Sequence, residues 1–564
     1  MLKKYNLPNL LEFYKQSLTM STTSTTTSVT AYQNQSRDIE LETINYSVAS
    51  QYPKPIHRAL SVVPGEPDNS FESLTNAGLS PISKWRATII IGTVSCVTLI
   101  NSMLAGILVV SLPTMAREIG LSKALLLWPA SVSSLTCGCT LLLSGSISDV
   151  IGGRKIYLIG TFVLTLTTVA CSVCQTGLQL ILFRAVQGLA LSLCLPSSVM
   201  LITSHIPTGS YRNIAFACLG AGQPVGFSVG LVLGGIFVQN VGWRWGYYIG
   251  AILTFVVFVI SIFGIPVEKK METQSFKTIF KRLGSEIDWI GCALISASLG
   301  LFSYVLSILA GTTSNFIAPV PIILSAVAAF LIPIFIWHTR RQERLGLKVI
   351  IPPSLWNNVV FTSLCITVFF IWGIFNAVQF FLTLYFQSVQ NLPAIQTSLR
   401  FLPMVVTGAL TNLCTGLLVK HVRADVLVLG SAMITAIGPL LMAIIKPEWS
   451  YWACAFIATA CTPVCADVLF TVANLVITSV FPPHMHGLAG GVFNTISNIG
   501  NSVGLAVTAV VASSVTMAEK GDPTENLMDG YRATFWLCFS ANIMVLGVVG
   551  FGLRKIGKVG IKND

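Results

Sequence analysis

Fourteen apolar runs recur along the chain from residue 86 onward, and each is long enough to cross a membrane. A helix needs about 20 residues, each adding 1.5 Å of rise, to span roughly 30 Å of hydrocarbon. The pattern therefore predicts an all-α polytopic membrane protein with 14 transmembrane helices. The predicted spans lie at 87–111, 124–147, 156–175, 178–202, 213–238, 244–266, 288–311, 317–337, 358–386, 396–419, 425–445, 451–479, 487–515 and 531–553.

The amino-acid composition favours a membrane protein over a soluble or nucleic-acid-binding one. Hydrophobic residues make up 53% of the chain and charged residues only 10%, whereas charged residues are about a quarter of soluble domains. The net charge of +12 comes from basic residues in short loops and the C-terminal tail, so we expect no nucleic-acid partner. The sequence shows no nucleotide-binding loop, metal-ligand cluster or catalytic triad pattern, so we predict neither a cofactor nor an enzyme.

The distribution of lysine and arginine among the loops predicts an orientation. Basic residues are concentrated in cytoplasmic loops of membrane proteins, and here they are concentrated in alternate loops. With an even number of spans, this pattern puts both termini in the cytoplasm, including the tail at 554–564. Residues 1–84 are polar and predict a disordered cytoplasmic tail, because such a segment cannot bury enough apolar surface to fold.

A short repeat divides the rest of the chain into two related halves. Gly226-Phe-Ser-Val-Gly230-Leu in the fifth span recurs as Gly500-Asn-Ser-Val-Gly504-Leu in the thirteenth, an offset of 274 residues. Small residues at this spacing predict close packing of membrane helices in both halves. We therefore predict a six-helix bundle at 85–266, cytoplasmic loops with inserted helices 7 and 8 at 267–357, and a second six-helix bundle at 358–553.

A polar turn between the second and third predicted spans is the candidate gate. Gly145, Asp149, Gly152 and Arg154 lie within 10 positions, where a tight hairpin with charges can hold or release a conformation. The alternative is that these charges only set the topology. A weaker echo of the turn in the second half carries Lys420 instead of an acid, so we expect the gate to be asymmetric.

Three further motifs follow in the fourth to sixth predicted spans. They are Arg184-Ala-Val-Gln187-Gly188, Gly226-x-x-x-Gly230-Leu231-x-x-Gly234-Gly235 and Trp243-Arg244-Trp245. Together with the polar turn, they resemble the major facilitator superfamily, specifically its fourteen-span drug:proton antiporter family in fungi, over residues 86–555. Helices 12 and 13 are most similar to the aminotriazole-resistance branch. The resemblance implies the major facilitator fold, with two six-helix bundles, an inserted helix pair and the glycines as helix-packing positions.

Two positions depart from the pattern of that family. Leu104 stands where the family often has an acidic residue in helix 1, and Leu231 replaces the proline of the helix 5 antiporter signature. Both a proton site in helix 1 and the direction of transport are therefore left open.

Two ionisable residues inside the predicted spans are the candidates for proton coupling. Asp467 is the only carboxylate well inside any predicted span, where a charge is costly without a function or a partner. The alternative for Asp467 is a structural role, in which it accepts hydrogen bonds between helices. Arg184 shares a helix face with Gln187, and we expect it to face a partner or a wet cavity; the alternative is an arginine snorkelling to the interface.

Neutral amides in several spans are the candidates for a substrate cavity. Such side chains can contact an uncharged or weakly polar substrate, although they also hold membrane helices together. The predicted cavity residues are Gln187, Asn101, Gln223, Asn376, Gln379, Asn494 and Asn498.

The resemblance implies secondary active transport by alternating access around a midplane cavity. The first hypothesis is export of a small organic compound or drug in exchange for protons, by a lipid-embedded monomer in the plasma membrane or, alternatively, a vacuolar or other endomembrane. The second is proton-coupled transport of a specific small solute, metabolite or weak acid. A third, a non-transporting membrane sensor, is less favoured because no long structured cytoplasmic domain is predicted.

Overall fold

The computed structural model describes residues 83–122, 125–207, 210–266, 281–284, 287–311, 319–347, 349–419, 421–480, 486–518 and 522–554, and no β-strand occurs among them. The helices that build the fold are α1 (Lys84–Glu118), α2 (Trp128–Ile151), α3 (Gly153–Val173), α4 (Gly177–His205), α5 (Ser210–Asn240), α6 (Arg244–Gly264), α7 (Trp289–Gly311), α8 (Pro319–Arg344), α9 (Val359–Leu384), α10 (Ala394–Arg400 and Leu402–Leu418), α11 (Ala424–Ile444), α12 (Ala455–Cys461 and Val464–Val480), α13 (His486–Ala518) and α14 (Pro523–Gly552).

These helices confirm the predicted all-α membrane architecture. Judged on the described part of the chain, 13 of them are long and apolar enough to cross a membrane. The remaining one, α7, is 23 residues long, and its Trp289–Phe302 part is apolar. The predicted tails at 1–84 and 554–564 lie outside the described residues, apart from residues 83, 84 and 554.

The same packing pattern occurs in both halves of the fold. In the first half, α1 packs along α5, α2 along α4, and α3 along α6. In the second half, α9 packs along α13, α10 along α12, and α11 along α14. The two halves are therefore six-helix bundles of matching arrangement, as expected of parallel repeats in a transporter fold. The pair α7 and α8, which pack on each other, has no counterpart in either bundle.

Glycines allow the paired helices to approach each other closely. A Cβ added to Gly226 or Gly230 of α5 would meet the α1 backbone at Leu99 or Met103. A Cβ on Gly234 would lie 3.0 Å from the Cα of Ile107, which is also on α1. Side chains at these positions would force the two helices apart, so the glycines set the distance between α1 and α5.

Glycines also allow close helix contact in the second bundle, whereas one glycine of the first bundle, Gly235, has a different neighbour. A Cβ on Gly500 or Gly504 of α13 would meet the α9 backbone at Phe369 or Gly373. Gly235 of α5 does not face α1, because its Cβ would meet Ser398 of α10. The predicted packing glycines thus lie at contacts within each bundle, except Gly235, which lies at a contact between the bundles.

The two bundles meet mainly along two helix pairs. α2 packs against α13, with α7 lying over both, and α5 packs against α10. The Ser398 hydroxyl donates to the carbonyl oxygen of Leu231 at 2.7 Å, and the Gln387 amide donates to that of Val110 at 2.9 Å. These bonds join the bundles towards the ends of α1, α5 and α9, which face outward in the predicted topology.

Candidate functional site

A small polar cavity of about 80 Å³ lies between the two bundles. It brings together Asn101 of α1, Gln223 of α5, and Asn494 and Asn498 of α13, four of the seven residues predicted to line a cavity. Asn501 also lines the cavity, as its spacing from Asn494 and Asn498 predicts. The spacing of amides does not predict the other lining residues, which are Thr98, Ser102, Leu191, Leu195, Trp372, Phe470 and Ser497.

Helix periodicity explains the amide-rich wall on α13. Asn494, Asn498 and Asn501 are spaced i, i+4 and i+7, so they share one face of the helix. The Asn494 amide donates to the carbonyl oxygen of Gly490, and the Asn498 amide to that of Asn494, both at 2.9 Å. Because an amide group carries two N–H donors and an acceptor, each side chain keeps a donor and its carbonyl oxygen for a ligand.

The lining of this cavity combines hydrogen-bonding groups with aromatic rings, and none of the described residues in it has an ionisable side chain. Trp372 of α9 and Phe470 of α12 lie with their ring centroids 6.5 Å apart and form its apolar wall. Leu191 and Leu195 of α4 complete the apolar part of the lining. Such a cavity can bind an uncharged molecule that has both polar and apolar surface, but it offers no partner for a charge.

Three residues predicted to line the cavity lie elsewhere. Gln187 is fully buried in a separate network on α4. Gln379 of α9 is also buried, with its amide nitrogen 3.7 Å from the sulfur of Met404 on α10. Asn376 is half-buried on α9 and is not part of the cavity wall. Neither Asn376 nor Gln379 therefore belongs to the described wall of this cavity.

Arg184 lies in a hydrogen-bonded network that joins three helices. Its Nε donates to the carbonyl oxygen of Pro129 on α2 at 3.0 Å, and its Nη1 donates to Oε1 of Gln187 at 2.7 Å. The Gln187 amide in turn donates to the hydroxyl of Thr168 on α3 at 3.0 Å. Arg184 is only 4% exposed, so it is paired in the protein interior and does not snorkel to the interface.

Asp467 lies between α12 and α10, inside the second bundle. A Cβ added to Gly408 of α10 would lie 2.9 Å from Oδ2 of Asp467. The Asn412 side chain, one turn further along α10, donates to the carbonyl oxygen of Gly408 at 3.1 Å. Asp467 is not part of the cavity wall, but Phe470, three residues later on the same helix, is. The carboxylate is therefore about one helical turn from the cavity.

The polar turn forms the corner between α2 and α3. Gly152 links the two helices with φ of 106°, a left-handed conformation that favours glycine. Asp149 is exposed in the last turn of α2, and Gly145 lies one turn before it. Arg154, in the first turn of α3, donates from Nη2 to the carbonyl oxygen of Ile262 on α6 at 2.8 Å. This bond between Arg154 and Ile262 stays within the first bundle, and Lys420 lies outside the described residues.

A buried histidine–carboxylate contact was missed by the sequence reasoning. His338 is buried near the end of α8, with its Nε2 2.8 Å from Oδ1 of Asp288 at the start of α7. The same oxygen accepts from the backbone N–H of Gly291 at 2.8 Å. The sequence signal for such a contact is an aspartate at the start of one apolar run, here Asp288, and a histidine at the end of the next, here His338.

Two matching six-helix bundles with a polar cavity between them define the architecture of a secondary transporter. Residues 94–505 match the family model of the Major Facilitator Superfamily, and the chain belongs to that superfamily. It is therefore a membrane-embedded transporter with an all-helical major facilitator fold, as the sequence motifs predict.

Three fungal proteins with similar sequences indicate the branch of the superfamily that this chain resembles. The chain is 42% identical to MFS-type transporter 1 of Pyricularia oryzae, with 85% of each chain covered. It is 28% identical to efflux pump terG of Aspergillus terreus, covering 75% of this chain and 78% of the relative. It is 22% identical to the aminotriazole resistance protein of Saccharomyces cerevisiae, with 73% of each chain covered. These relatives confirm the predicted resemblance to the drug-efflux-like branch of the superfamily.

Proposed function

We propose that this transporter exports small, uncharged organic compounds in exchange for protons by alternating access. The observation that carries the proposal is the cavity between the bundles, where the described lining consists of amides, hydroxyls, aromatic rings and aliphatic side chains and includes no ionisable group. A charged substrate would lose its hydration there and gain no ion partner, at a large cost in free energy. An uncharged substrate can exchange its hydrogen bonds with water for bonds with Asn101, Gln223, Asn494 and Asn498.

Export is supported by the names of two relatives. One is an efflux pump and the other a resistance protein, and both names describe removal of a compound or protection from it. The predicted topology also bears on export. A compound in the cytoplasm reaches the cavity only when the cytoplasmic ends of the two bundles separate. The polar turn with Asp149 and Arg154 lies at that end in the predicted orientation, which supports its proposed role in gating.

We assign proton coupling to Asp467. A carboxylate inside a membrane span is costly and usually functional, and Asp467 lies close to a second helix at Gly408. Protonation removes the charge from this contact and so changes the packing of α12 on α10. The change reaches the cavity through Phe470, one turn further along α12. In this scheme Arg184 and Gln187 hold α2, α3 and α4 together beside the cavity.

Reconstitution into liposomes with an imposed pH gradient tests the proposal. Wild-type protein should move an uncharged candidate compound against its gradient and move protons in the opposite direction. The Asp467→Asn variant should keep downhill exchange of the compound but lose the dependence on the pH gradient. Asp522→Asn is the matched control, because Asp522 is an exposed carboxylate before α14. If both variants respond to the pH gradient as wild type does, Asp467 is not the proton site.

A second candidate function is transport of one specific small solute. The observation that favours it is the volume of the cavity, about 80 Å³, whereas pockets for drug-sized ligands span about 300–1,000 Å³. Export of varied compounds requires the cavity to widen as the bundles move. Competition among chemically unrelated neutral compounds distinguishes the two functions: mutual inhibition supports broad export, and inhibition only by close analogues supports the specific solute.

A further inference from the structure

A second cavity, different in chemistry from the first, lies on the other face of α13. Val492, Ile496 and Ile499 contribute to its wall, and at 100° per residue they lie opposite Asn494 and Asn498 on the helix. The rest of its wall comes from α2, α7, α8 and the segment before α9. α13 therefore separates a polar cavity between the bundles from this second cavity behind it.

The second cavity has a volume of about 180 Å³ and an almost wholly apolar lining. Leu142 of α2, Ile295 and Leu299 of α7, and Phe335 of α8 are among the residues of its wall away from α13. Apolar cavities of this kind stay dry, and an engineered cavity of about 150 Å³ lined by similar side chains binds benzene. The volume and the lining thus fit a ligand with a single ring.

One polar group in this wall lacks a partner. Thr495 of α13 lines the cavity and is 6% exposed, and its hydroxyl makes no hydrogen bond to any described residue. Threonine hydroxyls in helices commonly bond to a backbone carbonyl of the preceding turn, as that of Thr508 does on the same helix. A buried hydroxyl without a partner is unfavourable, and a ligand with one polar atom would satisfy it.

We propose that this cavity binds a small, uncharged, one-ring compound with a single hydrogen-bonding group, such as a phenol, and that the bound compound modulates transport. The cavity walls belong to different bundles, so a bound ligand affects the movement of one bundle relative to the other. α7 is hydrogen-bonded to α2 of the first bundle, because the hydroxyl of Ser296 on α7 donates to the carbonyl oxygen of Cys139 on α2 at 2.8 Å. The opposite wall is α13 of the second bundle, so the cavity changes shape when the bundles rock. A ligand stabilises the conformation that retains the cavity and slows the cycle.

Thermal unfolding of the purified protein with phenol tests binding independently of transport. Phenol well above its Kd should raise the Tm of wild type by about 2–5 °C. Ile295→Trp fills the cavity and should abolish the shift. Ile290→Trp makes the same change on the lipid-facing side of α7, where Ile290 is 61% exposed, and should keep it. If Ile295→Trp cannot be purified, Leu299→Phe fills the same space. Equal shifts in the filled and the lipid-facing variants would put phenol elsewhere and overturn the proposal.

Two further comparisons test the role of Thr495 and the effect on transport. Phenol should raise the Tm more than benzene does in wild type, and Thr495→Val should remove that difference. In liposomes, phenol should lower the maximal rate several-fold in Ile290→Trp but not in Ile295→Trp. Equal shifts with benzene and phenol would exclude a hydrogen bond from Thr495. A Tm shift without any change in rate would overturn the modulation of transport while leaving the function proposed for the first cavity intact.

Discussion

Arg184 shows how much of the first bundle depends on one buried side chain. In Arg184→Met, the carbonyl oxygen of Pro129 and Oε1 of Gln187 lose their donors, and a hydrogen bond to a charged group contributes about 1.5–3 kcal/mol. We therefore expect the Tm of the detergent-solubilised protein to fall by several degrees. Arg340→Met, at an exposed position of α8, is the control and should leave the Tm unchanged. Equal Tm values for the two variants would contradict a stabilising role for the Arg184 network.

The sequence predicted local relations among these residues better than long-range ones. The spacing of Arg184 and Gln187 predicts a shared helix face, and they do bond to each other. Their other partners, Pro129 and Thr168, lie on different helices, and nothing in the spacing of one helix identifies them. Asp467 is a similar case, because its depth in a span is local information, whereas its neighbours on α10 depend on how the bundle packs.

At the scale of helices, glycine positions predict opposite effects of the same substitution. A Cβ on Gly230 would lie within 2.9 Å of Met103 backbone atoms on α1, whereas a Cβ on Gly430 in α11 meets nothing within 4 Å. Gly230→Ala should therefore lower the free energy of unfolding by about 1–3 kcal/mol through overpacking. Gly430→Ala should raise it by up to about 1 kcal/mol, because alanine is the better helix former. Unfolding monitored by Tm checks both signs, and destabilisation of equal size in the two would contradict the close contact of α1 and α5.

Helix limits differ from the apolar runs for a physical reason. The first predicted span ends at residue 111, but α1 continues to Glu118, and the last span begins at residue 531, but α14 begins at Pro523. A run of apolar residues marks the part of a helix in hydrocarbon, whereas the helix ends where its backbone hydrogen bonds end. Apolar periodicity therefore predicts the number and order of the spans better than their ends.

At the scale of the whole molecule, the repeat predicted two matching bundles but not the position of the inserted pair. The repeated Gly226 and Gly500 motifs lie at equivalent helix contacts, α1 with α5 and α9 with α13. Helices α7 and α8 have no counterpart in either half, so the repeat contains no information about where they pack. The structure has α7 lying over α2 and α13, which creates the second, apolar cavity.

Alternating access makes a prediction about the contact between α5 and α10. Ser398 is 3% exposed and bonded to Leu231, so opening of the outer side must break this bond and expose the position. In a background without the exposed Cys96, Cys218 and Cys414, a membrane-impermeant maleimide added outside should label Ser398→Cys slowly at rest. Labelling should rise several-fold when substrate and a pH gradient drive turnover.

The control for this experiment is Glu448→Cys, at an exposed position in the connection between α11 and α12. This variant should be labelled from outside at the same rate with and without turnover, because its accessibility does not depend on the bundle contact. If Glu448→Cys reacts only with reagent on the cytoplasmic side, the predicted orientation is wrong. If Glu448→Cys reacts from outside but the rate for Ser398→Cys does not change during turnover, the bundles do not separate at this contact, and alternating access must open the outer side elsewhere.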